Sequence, residues 1–175
     1  LLNAAAGLST AYACSSPVLC VTGQIASDQI GKGFGALHEI NNQLEMISSV
    51  TKSAERAMRP EEIPGMVRRA FQALRTGRPR PVEIEVPPDV LELVADVTLL
   101  EPEDWDRSVD SPGDPDLLRQ AAEVLGQAER PVIWSGGGVL SSGAWEELRA
   151  LSSMLEAPVV MSSNGRGALS DREPR

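Results

Sequence analysis

The sequence predicts an α/β fold made of two doubly wound parallel-sheet units, both incomplete. Strand-length apolar runs alternate with helix-length segments that carry an apolar stripe, a pattern typical of βαβ connections. A glycine-rich segment follows the first predicted strand of each unit, at residues 23–35 and 136–138. An acidic, proline-containing stretch lies between them. We therefore predict one unit over residues 1–97, a linker over 98–113 and a second unit over 114–175.

A helix over residues 3–13 and a strand over residues 17–22 begin the first unit. The helix contains small residues that allow close packing, and a Ser-Ser-Pro turn ends it. The strand reads PVLCVT, an apolar run typical of a parallel sheet that is covered on both faces. Residues 23–35 hold four glycines without periodicity. We predict a loop there, at the carboxyl end of the strand, where parallel sheets carry ligands.

The next helix of this unit starts at Pro60, and the next strand covers residues 82–86. Proline is favoured at the first helical position, and Glu61 and Glu62 complement the positive end of the helix dipole. An apolar stripe follows, with arginines opposite it that favour a solvated face over an anion site, and Gly77 ends the helix. The strand reads VEIEV, and its two glutamates indicate a sheet edge or an open face.

The second unit is predicted to begin with a helix capped by Asp114, with Pro115 behind the cap and one apolar face. A strand, a glycine turn, a second helix and another strand are then predicted over residues 131–135, 136–138, 144–155 and 158–161. This order is the start of a doubly wound parallel sheet with right-handed crossovers.

Composition and charge argue against several classes of protein. A net charge of −9 argues against binding to nucleic acid or to an anionic membrane, because phosphate binding needs a basic face. We expect neither a signal peptide nor a membrane span, and the acidity is typical of a cytoplasmic enzyme. Cys14 and Cys20 lack a CxxC or a nearby histidine, so we predict buried thiols and no metal ligands.

Two features are candidates for chemistry. His38 is the single histidine, and it follows the glycine loop beside Glu39. An imidazole titrates near neutral pH and can hydrogen-bond a substrate carbonyl or carboxylate, although a solvent-facing or structural histidine is the alternative. The glycines at 136–138 lie between a strand and a helix, where a pyrophosphate can approach the backbone. The full GxGxxG pattern is absent, so a structural turn and a nucleotide contact both stay open.

Longer motifs carry a resemblance to a known family. In the first unit they are LLNAAAGLSTAYACSSPVLCVTGQ at 1–24, LHEINNQ at 37–43, VTK at 50–52 and EEIPGMVRRAFQALRTGRPRPVEIEVPPDV at 61–90. Together these segments resemble the pyrimidine-binding domain of the acetolactate synthase large subunit and other thiamine-diphosphate-dependent enzymes, including benzaldehyde lyase and pyruvate decarboxylase. RPVIWSGGGVLSSGA at 130–144 and APVVMSSNGRGALSD at 157–171 resemble the start of the central domain that follows in those enzymes.

The resemblance implies an enzyme that decarboxylates a small 2-oxo acid and passes the resulting carbanion to an acceptor, a transferase or lyase with thiamine diphosphate and Mg²⁺ as cofactors. It also implies a homodimer or homotetramer whose active site is shared between subunits. One alternative is a 2-oxo acid decarboxylase or lyase of the same family. The other is a non-catalytic fragment that binds a nucleotide or pairs subunits.

The resemblance also implies roles for single residues. Asn3, Gly23 and Gln24 match positions close to the cofactor. His38 stands where the synthases carry glutamine and where pyruvate decarboxylases carry the first histidine of a pair that faces substrate. Glu39 matches the glutamate of the synthases' Phe-Gln-Glu run. We therefore expect His38 and Glu39 to be catalytic.

Gln43 is expected to contact substrate. Gly136, Gly137 and Gly138 match a turn that touches FAD in acetolactate synthase and binds ADP or nothing in several relatives, so FAD and ADP both stay open. In the family, the catalytic glutamate would precede this sequence, and the residues that hold magnesium and the diphosphate would follow it. No metal ligand is predicted here, and a chain of this extent alone is expected to be inactive.

Overall fold

The computed structural model describes residues 1–101 and 112–172 of the chain. The chain divides into two compact units, Leu1–Asp110 and Ser111–Arg175. Each unit holds a small parallel sheet, which confirms the predicted α/β class. Residues 102–111 of the predicted linker lie outside the described residues, so the linker stays a prediction. Within the described ranges, no helix has the length and apolar character that crossing a membrane requires.

Within residues 1–101, the first unit shows three strands and four helices: α1 (Leu2–Cys14), β1 (Leu19–Gly23), α2 (Gln43–Ser48), β2 (Ser53–Arg56), α3 (Ile63–Arg75), β3 (Val82–Val86) and α4 (Pro88–Leu91). A 3-10 turn, Pro60–Glu62, precedes α3, at the position where the sequence predicts a helix start. All strands are parallel, in the order β1-β3-β2. Strand β3 is therefore the centre of the sheet.

The apolar core of this unit lies between α3 and one face of β3. Val82, Ile84 and Val86 alternate along the strand and share this face, because successive strand side chains point to opposite sides. Helix α3 contributes Met66, Ala70 and Leu74, all of them buried. Burial of a Met or Leu side chain stabilises the fold by roughly 1.5–3 kcal/mol.

The opposite face of β3 carries Glu83 and Glu85, which are 1% and 0% exposed. The prediction of an edge strand or an open face is therefore wrong. The acids are tolerated because β1 and β2 flank β3 on both sides and supply polar partners. Strand β2, which contributes Arg56, was not predicted.

In the described part of the second unit, residues 112–172, there are two parallel strands and three helices: α5 (Pro115–Gly126), β4 (Ile133–Ser135), α6 (Gly137–Ser141), α7 (Trp145–Leu155) and β5 (Val159–Met161), with a 3-10 turn at Ser163–Gly165. The predicted cap of α5 is confirmed. The Asp114 carboxylate accepts hydrogen bonds from the backbone N–H groups of Asp116 (2.8 Å) and Leu117 (3.3 Å).

Several local predictions fail in their details. The predicted glycine turn at 136–138 is in part helical, because α6 begins at Gly137. Among the α7 residues predicted to face inward, Leu148 is buried whereas Trp145 is 47% exposed. Cys14 is exposed and Cys20 is half-buried, so the prediction of two buried thiols is wrong for Cys14. Partial burial raises the pKa of the Cys20 thiol.

Candidate functional site

A cavity of about 510 Å³ lies beyond the carboxyl end of β1. The start of α1, the end of β1 and the loop that leads into α2 form its wall. The structure brings together all the site residues predicted in the first unit, and they line this cavity: Asn3, Gly23, Gln24, His38, Glu39 and Gln43. Parallel sheets place their ligand sites at this end of the strands.

The buried carboxylate of Glu85 lies beside the cavity and orients two amide side chains that line it. Gln24 and Gln43 donate through Nε2 to the two oxygens of Glu85, at 3.2 and 2.8 Å. Gln43 also donates to the carbonyl oxygen of Gly23 at 3.0 Å. The guanidinium of Arg56 donates through Nε to Glu85 and forms an ion pair with it. The Glu85 side chain is 0% exposed, so these contacts replace its hydration.

This network sets the hydrogen-bonding character of the cavity. Both ends of the Gln24 amide are engaged, because its Oε1 accepts from the Ile25 N–H at 2.8 Å. Gln43 commits its amide nitrogen to two protein acceptors, which leaves its Oε1 to accept a hydrogen bond from a ligand. Among the described residues that line the cavity, none is lysine or arginine. The cavity is therefore better suited to a neutral ligand group that donates hydrogen bonds than to an anionic group.

His38 stands on the cavity wall with an exposed side chain. Its backbone φ is 69°, in the left-handed region that non-glycine residues avoid. Such a conformation costs on the order of 1–2 kcal/mol, and it persists where the surrounding structure imposes it. The neighbouring Glu39 accepts hydrogen bonds from backbone N–H groups of the glycine loop, so its carboxylate contacts its own loop.

Glu83 lies two residues before Glu85 on the same face and does not line the cavity. The Thr22 hydroxyl donates to its Oε1 at 2.5 Å, whereas Oε2 has no partner among the described residues. Burial raises the pKa of Glu83 to about 7, the Thr22 hydrogen bond opposes this rise and the negative charge of Glu85 adds to it. This carboxyl group is therefore close to half-protonated at neutral pH.

In the second unit, the glycine turn after β4 packs against the 3-10 turn after β5. A Cβ at Gly165 would overlap the carbonyl oxygen of Ser135, and one at Gly137 would lie 3.0 Å from a backbone oxygen of the facing turn. Close packing thus accounts for Gly137. At Gly136 and Gly138 a Cβ would meet open space, so these two positions leave room for a ligand to approach. The predicted nucleotide contact at this turn stays a prediction.

Sequence reasoning missed Glu85 and Arg56. A signal was available, because the sequence predicts a parallel sheet covered on both faces, and an acid in such a strand needs a buried partner. The identity of that partner depends on the strand order, which local patterns do not reveal. Within residues 1–101 and 112–172, no group of three or more His, Cys, Asp or Glu side chains is arranged to hold a metal.

Comparison with known proteins relates this arrangement to a family. A family profile described as thiamine pyrophosphate enzyme, central domain, matches residues 118–175. The chain is 38% identical to a probable acetolactate synthase large subunit of Methanocaldococcus jannaschii, over 98% of this chain and 29% of that protein. The chain is similar to thiamine pyrophosphate enzymes over nearly its whole length. The predicted resemblance to this acetolactate-synthase-like family is therefore confirmed.

Other thiamine pyrophosphate enzymes match a similar extent. A probable 2-ketoarginine decarboxylase of Pseudomonas aeruginosa is 39% identical, over 98% of this chain and 30% of the relative. The chloroplastic acetolactate synthase 2 of Nicotiana tabacum is 34% identical, over 95% of this chain and 25% of the relative. The chain thus spans less than a third of the length of these relatives.

Proposed function

We propose that this chain is part of a thiamine-diphosphate-dependent enzyme that decarboxylates a small 2-oxo acid and transfers the product to an acceptor, as an acetolactate synthase does. The observation that supports this function best is the cavity beyond β1, whose amides are oriented by a buried carboxylate. The proposal also includes a homodimer or homotetramer with a shared active site, which rests on the resemblance. It includes a cytoplasmic location, which rests on the acidic composition.

The cavity residues fit the aminopyrimidine part of thiamine diphosphate. A planar aromatic ring with an amino group needs apolar walls and a hydrogen-bond acceptor. Leu1, Leu2 and Ile40 offer apolar surface. Gln43 offers a free amide oxygen, and the amide of Asn3 lines the same cavity. Following the resemblance, we assign Mg²⁺ and the diphosphate to residues of the full-length enzyme outside this sequence.

When bound, thiamine diphosphate supplies a nucleophilic carbon and an electron sink for the loss of carbon dioxide. The residues of this chain bind, orient and desolvate. Asn3 and Gln43 hold the ring, and the apolar wall excludes water from it. His38 donates a hydrogen bond to the substrate carbonyl or carboxylate, or exchanges a proton with it.

The test is the His38→Ala variant in the enzyme of full length, assayed with thiamine diphosphate and Mg²⁺. We expect kcat/KM to fall ~10-fold or more while Tm stays nearly constant, since the side chain is exposed and contributes little packing. His38→Gln keeps a hydrogen-bonding group but cannot shuttle a proton, so it separates the two roles. Lys32→Ala, at an exposed position of the same loop outside the cavity, is the matched control. An unchanged kcat/KM in His38→Ala would contradict the proposal.

A 2-oxo acid decarboxylase without carboligation is the second candidate function. The identity of 39% to the probable 2-ketoarginine decarboxylase favours it. So does the absence of lysine and arginine among the described residues that line the cavity, because a cationic substrate would meet no repulsion there. Product analysis distinguishes the two candidates. A decarboxylase releases an aldehyde as the sole organic product, whereas a synthase releases the joined product. FAD or ADP binding without dependence on thiamine would favour the non-catalytic alternative.

A further inference from the structure

We propose that Glu39 is a positioning residue, whose carboxylate clamps the glycine loop and thereby holds His38 on the cavity wall. This role differs from the catalytic role that the sequence predicts for Glu39. Its kinetic consequence rests on the proposed function, whereas the clamp itself can be tested without any activity.

The clamp consists of three hydrogen bonds from backbone to carboxylate. Gly33 N–H donates to Oε1 of Glu39 at 3.0 Å, and the N–H groups of Gly35 and Ala36 donate to Oε2 at 2.7 and 3.0 Å. Hydrogen bonds to an ionised acceptor are about twice as strong as neutral ones. The Glu39 N–H in turn donates to the Ala36 carbonyl at 2.9 Å, which closes a tight turn around the site.

Backbone geometry explains why this loop needs a clamp. Gly31, Gly33 and Gly35 have φ values of 76°, 66° and 73°, and left-handed residues of this kind turn nearby N–H groups into a concave anion-binding surface. Glycine loses more conformational freedom on ordering than any other residue, so the loop needs compensating contacts. Glu39 supplies those contacts from within the same loop.

The beginning of the loop is fixed separately. Ser27 donates through its N–H and hydroxyl to the two oxygens of Asp89, at 2.8 and 2.5 Å. These bonds hold the pKa of Asp89 below its usual value. The loop is therefore held at both ends, and Glu39 is the contact nearest to His38.

His38 is coupled to the clamp through the backbone. It lies between Ala36 and Glu39, both of which take part in the clamp, and it has a φ of 69°. The left-handed conformation sets the direction of its Cα–Cβ bond. Without the clamp, His38 would relax to the more favourable negative φ, and its imidazole would leave the cavity wall.

The same contacts argue against Glu39 as the general base. Both of its oxygens already accept hydrogen bonds from the loop. Oε1 accepts one from Gly33, and Oε2 accepts one each from Gly35 and Ala36. A base must reach the proton that it removes, so a base role for Glu39 would require breaking these bonds.

The structural arm of the test is amide hydrogen exchange, measured by mass spectrometry on the full-length protein. Glu39→Gln replaces one acceptor oxygen by a donor, so we expect residues 33–36 to exchange ~10-fold faster or more, with residues 82–86 unchanged. Glu39→Asp keeps the charge on a shorter side chain and should give an intermediate rate. Glu61→Gln, at an exposed acid outside the cavity, is the matched control. An unchanged exchange rate at 33–36 in both Glu39 variants would overturn the clamp.

The kinetic arm is a double-mutant cycle. If Glu39 acts through His38, Glu39→Gln lowers kcat/KM ~10-fold in the wild-type background and has no further effect in His38→Ala. Additive losses would show that Glu39 acts on substrate directly and would overturn the positioning role. If the full-length protein has no thiamine-dependent activity at all, the proposed function fails, while the exchange rates still decide the clamp.

Discussion

The two glutamates of β3 share one face of the sheet and are both buried, yet their surroundings differ. Glu85, at the end near the cavity, lies opposite Arg56 of β2 and receives an ion pair and two amide hydrogen bonds. Glu83, nearer the amino end of the strand, lies opposite Ala54 of β2 and Cys20 of β1, and one of its oxygens has no partner among the described residues.

The comparison shows that two buried acids only two residues apart on one strand can differ in their hydrogen-bond partners. Near the cavity, the loop after β1 and helix α2 supply polar groups, so an acid there can organise a ligand site. Toward the amino end of β3, the neighbours are small or weakly polar, and burial shifts the acid toward its protonated form. Three substitutions test this difference.

The largest effect is expected from Arg56→Met. This change leaves the carboxylate of Glu85 buried without its cation, so we expect the free energy of unfolding to fall by about 3–5 kcal/mol at pH 8. Urea denaturation measures it. The control is Arg69→Met, because the Arg69–Glu55 pair is solvent-exposed and should contribute no more than about 1 kcal/mol. Equal losses in the two variants would show that the Glu85 ion pair is not a buried interaction. The double variant Arg56→Met/Glu85→Gln should recover much of the loss.

The second effect is a pH-dependent gain of stability in Glu83→Gln. The pKa of Glu83 is about 7 in the folded protein, against an ordinary value of 4.5. Below the ordinary value both states are protonated. As pH rises toward 7, the unfolded chain loses the proton first, so the folded state becomes relatively less stable, by up to about 3 kcal/mol.

Glutamine cannot ionise, so Glu83→Gln should be more stable than the wild type at pH 8 and nearly equal to it at pH 4. The measurement is urea denaturation at both pH values, with Glu61→Gln as an exposed control that shows no such pattern. A variant that is less stable than the wild type at both pH values would mean that Glu83 has a stabilising partner.

The smallest effect is expected from Thr22→Val. It removes the hydroxyl that donates to Glu83 and keeps the shape of the side chain, so a loss of about 1 kcal/mol is expected. Because that hydrogen bond lowers the pKa of Glu83, its loss should move the pKa further up. The stability of the variant, followed from pH 5 to 9, should therefore level off at a higher pH than in the wild type. Identical profiles would contradict this coupling.

The sequence predicted those elements whose signals are local. The bounds of β3 agree with the prediction over 82–86, and the Asp114 cap and the Pro60 helix start depend on single residues and their neighbours. Strand β2 reads SAER and has no apolar pattern, so its pairing with β3 comes from tertiary structure. Helix α2 did have a local signal that the prediction overlooked, since Asn42 caps it by accepting from the Glu45 N–H.

The same distinction applies to the candidate site. Six of the nine residues that line the cavity were predicted as site residues from motif resemblance and chain order. The Glu85–Arg56 pair was not predicted, because it requires β2 to lie beside β3. The hydrogen bonds from Gly33 and Gly35 to Glu39 were also not predicted, because they depend on positive φ angles that glycine permits but does not require.

In the second unit, the contact between Ser135 and Gly165 limits how the chain can be lengthened. At Gly165, the turn after β5 meets the turn after β4 backbone to backbone. An inserted residue in either turn would displace the other turn as well, so the two lengths must change together or not at all. The exposed connection between α5 and β4, residues 127–132, has no such constraint and is the better position for a tag or an inserted domain.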